Sequence, residues 1–390
     1  MIRLLSVLCM VLLLSLVSAG AENSAAYAKS PIRFGGAGDD YVVRSSTLAL
    51  SNGNLLLSIA TQKGKTSAAR RNIWTRLICL KPYGSILWET EFGEEKGVTL
   101  FTNLTEQPDQ TVTGYISYSI DQHGLYKQKR AFSLIDGTLI KQGEREAETD
   151  DTDTHMYIEA AGTRFLRIEI HNAQTTTDPR YYQLEEADGK ILWRVEGDVI
   201  GLSNCEGAVQ VSAGTMLYGM LWVDAENGSK ATAVLLNDQG KVLWSVALDD
   251  LKDTTLDYAL AAGNNRVLLS GHADGPANRL YLLIDAKTGS VLWRMLYSNG
   301  EGSGFPKRTM LETDEGYLIA DTDKRDYSGL NYVLLVPNGE VKKQWLNTLK
   351  DTTIIGTDLF RWNGEIWIVY TAEKEGDMDV ILERVEIPNN

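Results

Sequence analysis

Along residues 31–390, short runs of β-branched, aromatic and aliphatic residues alternate with polar clusters rich in Gly, Asn and Asp, and no run keeps a helical period. Val, Ile, Tyr and Thr suit a pleated, half-buried surface, so the pattern predicts many strands joined by tight turns. One phrase recurs. Gly, any residue, Ile or Val, Leu, Trp stands at Gly84 to Trp88, Gly189 to Trp193, Gly240 to Trp244 and Gly289 to Trp293, with worn copies after Gly137 and from Gly339 to Trp345.

Glycines 84, 137, 189, 240, 289 and 339 follow one another at intervals of 53, 52, 51, 49 and 50 residues. A period near 50 with four strand-like runs per unit is the signature of a β-propeller blade. With the strands of a unit labelled a to d, a–b turns fall at Asn52-Gly53, Glu106 to Gln110, Gly162-Thr163, Gly214-Thr215, Gly263-Asn264, Asp314 to Gly316 and Asn363-Gly364. Gly and Asn in these pairs supply the positive φ of a hairpin. The recurrent glycine lies in the c–d turn. The b–c connections are longer and polar: 61–72, 120–125, 171–180, 224–230, 272–278, 321–329 and 372–378. The seventh unit has runs for a, b and c but no fourth, whereas Pro31 to Gly36 reads as a d strand placed ahead of the first unit. The expected fold is therefore all-β: one propeller over 31–390 with seven four-stranded blades, closed by the N-terminal strand completing the last blade, which removes the open edge at the seam.

Ahead of this domain, Met1-Ile2-Arg3, the apolar Leu4 to Val17 and Ser18-Ala19-Gly20-Ala21 have the charged, apolar and small-residue zones of a secretory leader. The apolar run is short for a membrane span. Cleavage after Ala21 is expected, with 22–30 as a linker and a secreted or otherwise extracytoplasmic mature chain lacking a transmembrane domain. Losing residues 1–21 removes Arg3 and no acid, so the formal charge of −14 becomes −15. That balance argues against nucleic acid as a partner, because phosphates need clustered cations. The one dense basic patch, Lys63, Lys65, Arg70 and Arg71, is read as a solvated loop. Cys79 and Cys205 are too few for a disulfide framework and are read as small buried hydrophobes.

Trp88, Trp193, Trp244, Trp293 and Trp345 are expected to fill the wedges between adjacent sheets, with Trp74, Trp222 and Trp367 sharing that task. Trp362, beside Asn363-Gly364, is expected at the surface. Chemistry is sought at the other end of the blades, where b–c loops and d–a linkers emerge together around the channel mouth. His123, His171 and His272 are assigned to b–c loops there, and His155 to the start of strand a in the third unit. With Arg180, Asp321, Asp323 and Asp326, the three loop histidines form the candidate binding face. The histidines sit on different blades without metal-ligand spacing, so they are assigned no metal. Asp150, Asp151 and Asp153, and the Asp321 to Asp326 run, have the oxygen chemistry that calcium takes. Neither has the spacing of a known calcium loop, and solvated acidic loops are the reading retained. No Gly-x-Ser-x-Gly, His-Glu-x-x-His or Ser-x-Asp-x-Gly box is present; Ser119-Ile-Asp121-Gln-His-Gly124 has one residue too many for the last.

At Asp285-x-x-x-Gly289-x-x-x-Trp293 the chain resembles the tryptophan-docking repeat of quinoprotein-type (PQQ-like) β-propellers. Phe34-Gly35-Gly36-Ala37-Gly38-Asp39-Asp40 is similar to the blade junction of secreted bacterial propeller repeats. The resemblance spans about residues 31–390 and implies a scaffold that serves redox enzymes, outer-membrane assembly factors and other proteins alike. The enzyme branch carries an adjacent cysteine pair and eight blades, which this sequence lacks, so no cofactor is expected, PQQ included. The reading is a secreted or envelope-associated propeller that binds a protein or envelope component through its b–c loop face, with no catalytic constellation. The alternative is an extracytoplasmic enzyme, a quinone-dependent oxidoreductase or a polysaccharide-cleaving propeller, with its site at the channel mouth.

Overall fold

The computed structural model describes residues 31–35, 39–63, 72–94, 97–120, 123–144, 146–147, 154–161, 164–170, 180–186, 190–224, 226–273, 278–298, 309–322, 328–349 and 352–388. A short strand, β1 (Ile32–Phe34), precedes a series of antiparallel meanders. Sheet I holds β2 (Asp39–Ala49), β3 (Leu55–Gln62), β4 (Ile73–Leu80) and β5 (Ile86–Phe92); sheet II holds β6 (Gly97–Glu106), β7 (Thr111–Ile120), β8 (His123–Ser133), β9 (Leu139–Gln142) and β10 (Glu146–Ala147). Sheet III is β11 (Thr154–Ala161), β12 (Arg164–Ile170), β13 (Arg180–Glu186) and β14 (Ile191–Glu196). A four-residue helix, α1 (Gly197–Ile200), leads to sheet IV: β15 (Asn204–Val211), β16 (Gly214–Asp224), β17 (Gly228–Leu236) and β18 (Val242–Ala247). Sheet V is β19 (Thr255–Ala262), β20 (Arg266–Ala273), β21 (Asn278–Asp285) and β22 (Val291–Ser298); sheet VI is β23 (Thr309–Thr313), β24 (Gly316–Thr322), β25 (Gly329–Leu335) and β26 (Val341–Thr348). In sheet VII, β27 (Thr353–Trp362), β28 (Glu365–Lys374) and β29 (Asp377–Arg384) are joined at the outer edge by β1, with Ile32 opposite Leu382 and Phe34 opposite Val380. A single parallel bridge, Ile73 to Val98, links sheets I and II into one nine-stranded sheet.

Because side chains alternate along a strand, the middle strands bury both faces. Leu55, Leu57 and Ile59 of β3 pack with Trp367, Val369, Val380 and Leu382 of sheet VII, while Leu56 packs with Phe101, Val112 and Ile116 of sheet II. Comparable clusters join III to IV, IV to V, V to VI and VI to VII. Hydroxyls fasten the boundaries to backbone that would otherwise be buried unpaired. Ser58 Oγ donates to Phe101 O at 2.6 Å, and Thr254 Oγ1 and Thr371 Oγ1 accept from Ala231 N at 2.6 Å and Val42 N at 2.8 Å.

The recurrent Trp and Gly are two halves of one contact. Trp88, Trp193, Trp244 and Trp293 each lie against the turn glycine of the following sheet, Gly137, Gly240, Gly289 and Gly339. A Cβ on Gly289 would stand 2.8 Å from the Trp244 ring, and its φ of +73° disfavours a side chain as well. The indole N–H groups of Trp88, Trp244 and Trp293 donate to Leu134 O, Ala286 O and Pro337 O at 2.9–3.0 Å. Among the described glycines none meets Trp345; it stacks on Tyr332 at 5.1 Å and packs against the core between sheets VI and VII. Trp362 corrects the expectation of a surface residue. It is 1% exposed, lies against Trp367, and donates from Nε1 to Gly53 O of sheet I at 2.8 Å. The turn after it is exposed, but the strand's period of two directs this side chain inward.

Cys79 and Cys205 are free and buried, and burial pushes their thiols up to about 11 and about 12. At pH 8 both stay protonated and shielded, and the thiolate is the nucleophile. An aromatic disulfide reagent should therefore label the native protein about a hundredfold more slowly than the protein in guanidinium. Native labelling at the unfolded rate would contradict this placement.

Candidate functional site

The structure distributes the candidate face over several boundaries. His171, Asp323 and Asp326 lie outside the described residues, as do Asp150, Asp151 and Asp153. His123 opens β8, opposite Ile120. Arg180 opens β13 and donates from Nη1 to Asn204 Oδ1 at 2.5 Å, tying sheet III to sheet IV. His272 and Asp321 are not loop residues: they lie within β20 and β24, opposite Arg279 and Asn331. Asp321 can be inside a strand because it pairs with Arg279 across the boundary between sheets V and VI, and His272 lies beside Asp257 within sheet V.

That boundary changes from apolar to polar toward the b–c end. Leu268, Tyr281 and Leu283 of sheet V pack with Tyr317, Ile319 and Val333 of sheet VI, and the period of two places Ser270, His272, Arg279, Asp321 and Asn331 on the same faces. Arg279 is 0% exposed, with Nε 3.2 Å from Asp321 Oδ2. Asp257, at a bulge in β19, accepts from Ser270 Oγ at 3.2 Å and lies 4.0 Å from His272 Nδ1. Gln344 Nε2 donates to Asn331 Oδ1 at 3.2 Å. A carboxylate beside an imidazole orients it, yet Ser270 turns its hydroxyl to the carboxylate rather than to the histidine. This is not the order of a serine–histidine–aspartate relay. Among the described residues no group of three His, Cys, Asp or Glu is placed to hold a metal ion. The cluster's evident work is to bind two sheets together.

A different arrangement stands at the same end of sheet IV. Pairing of β15 with β16 stops at Asn204 opposite Met220, and pairing of β18 with β17 stops at Ala247 opposite Thr232. Beyond these points β16 and β17 continue alone as a two-stranded arm to Asp224 opposite Gly228. Trp222 and Val223 on this arm are 41% and 40% exposed, which corrects the expectation that Trp222 fills a wedge: among the described residues no neighbouring strand extends far enough to cover it. On one side, Ser203 N donates to Met220 O and Ser203 Oγ accepts from Trp222 N, so the α1 linker runs beside the arm with Val199 75% exposed. On the other side, Thr254 N donates to Ser229 O and Lys230 Nζ meets Asp249 at 2.7 Å.

The apolar tip is set among acids. Asp198, Asp224, Glu226, Asp249, Asp250 and Asp253 are all exposed on these three segments. Hydrogen bonds from Asn227 hold Asp224 below the usual carboxylate range, and Arg294 does the same for Asp250. A signal for the arm is present in the sequence: Leu221-Trp222-Val223 breaks strict alternation just before an Asp-x-x-Asn-Gly turn, so at least one large apolar side chain must face solvent.

Residues 169–294, from the end of β12 through sheet IV and its arm to the start of β22, match the family model described as outer membrane protein assembly factor BamB. The repeat is of the PQQ-like propeller kind. No curated protein matches the chain. Among solved structures, the β-propeller domain of the Trilobed protease from Pyrococcus furiosus aligns with 91% of this chain and 97% of its own, at 8% identity and a TM-score of 0.50. The Dos1 propeller aligns over 87% and 81%, at 11% identity and a TM-score of 0.47. At such identity the first of these speaks to the propeller fold alone.

Proposed function

We propose that this PQQ-like propeller is an extracytoplasmic, non-enzymatic docking protein that holds a polypeptide partner against the b–c end of sheet IV. The observation that carries the reading is that Trp222, Val223 and Val199 are exposed on segments that also carry exposed acids, within the stretch that matches the assembly-factor model. Large exposed apolar side chains rimmed by charge suit a partner surface, with aromatic anchors at its centre. The acidic rim suits a partner carrying Lys and Arg beside its apolar contact. The series of meanders is inferred to be a seven-bladed ring closed by β1, a frame rigid enough to present such an arm. The leader-like residues 1–21 suit delivery to the cell envelope, where an assembly partner would be met.

Co-purification from native envelopes tests this. Trp222→Ala should reduce the recovered partner by about tenfold or more, the scale of a binding hot spot. Asp198→Asn with Glu226→Gln should weaken capture mainly at low salt, since rim charges act through screened fields. Unchanged recovery in both variants would retire the reading.

A further inference from the structure

The outer edge of sheet VII is incompletely covered. β29 has eight residues, but β1 pairs with only three of them, Val380 to Leu382, and among the described residues no strand pairs with the rest of that edge. In sheets IV, V and VI the outer strands pair at five, seven and seven positions. The docking contact is weaker too. Ile32 occupies the place against Gly84 that Trp88, Trp193, Trp244 and Trp293 take against their own glycines. Isoleucine buries less area than an indole and has no N–H to donate to the next turn. What holds β1 is Phe34, buried between sheets I and VII, and the ion pair of the mostly exposed Arg33 with Asp379.

An edge of this kind is a template for another strand. We propose that it is an exchange site, and that its alternative occupant is β1 of a second copy of this chain, giving a strand-swapped dimer. The slot is by construction complementary to residues 31–35, with an aliphatic group over Gly84 and an aromatic ring in the sheet I–VII core. The same contacts form within one chain or between two, so exchange costs little beyond association and is driven by concentration. Three of the four residues after Phe34 are glycine, and glycine backbones accept either path. In the swap each copy donates and accepts once, a closed two-fold arrangement.

Arg33 and Ile381 are register partners, so cysteines at both report which chain supplies the strand. In a Cys9→Ser background, Arg33→Cys/Ile381→Cys protein is held at a series of concentrations, warmed below its unfolding midpoint, cooled and oxidised. Disulfide-linked dimer on non-reducing gels should rise about fivefold or more between about 5 and 500 µM, at the expense of internally linked monomer. Internally linked monomer at every concentration overturns the proposal. The unaltered protein gives a second measurement by light scattering: dimer formed at high concentration should dissociate when a peptide of residues 29–37 is added in excess. A chain that stays monomeric throughout, or a dimer indifferent to the peptide, likewise overturns it.

Discussion

Trp362→Ala is expected to destabilise the protein by about 3–5 kcal/mol, the usual cost of truncating a large buried aromatic. Trp362 combines three contributions: its ring lies 5.1 Å from that of Trp367, it belongs to the cluster that includes Leu55, Leu57 and Ile59 of sheet I, and its N–H donates to Gly53 O. Asn363 Nδ2 donates to the same oxygen at 3.1 Å. Trp362→Phe keeps much of the area and loses only the hydrogen bond, so it should cost considerably less, with about 1 kcal/mol for the bond itself. Urea midpoints for the two variants check the ordering. A loss in Trp362→Ala within about 0.5 kcal/mol, the range of a surface substitution, would mean that sheets VII and I are not packed as described.

The second large effect changes sign with the partner. Arg279→Ala should cost about 3–5 kcal/mol, because it leaves Asp321 as a buried carboxylate without its cation. Replacing both, as Arg279→Met with Asp321→Leu, should be near neutral or stabilising by up to about 4 kcal/mol, since two desolvation penalties disappear together. Both residues are deep between sheets V and VI. Thermal unfolding of Arg279→Met, Asp321→Leu and the double forms a mutant cycle; additive losses would show that the pair is not coupled.

These residues mark how far the sequence could be read. The c–d hairpins were legible because most carry the same two partners, a turn Gly and an outer Trp, at a fixed period, and physical need repeats them: the ring of one sheet occupies the place of the next sheet's missing Cβ. Trp362 was misplaced because its turn neighbours are polar, while the direction of its side chain depends on register within β27. Asp321 and His272 were assigned to loops because charged residues usually end strands. Arg279, which lets Asp321 be buried, lies 42 positions away and on another sheet. At Trp222 the broken alternation of Leu221-Trp222-Val223 was the local sign of the arm, and it was easily missed for a related reason. Apolar residues in a strand look like core unless one knows that β15 and β18 stop short of them.

The docking reading is tested most directly by a photo-crosslinking amino acid placed at position 222, with position 292 on the outer strand of sheet V as the exposed comparison. Irradiated in the native envelope, the protein should join a discrete polypeptide from position 222 and not from 292, and the adduct should fade when Asp198 and Glu226 are neutralised. Adducts from 292 alone, or none from 222, would contradict a docking face at the end of sheet IV.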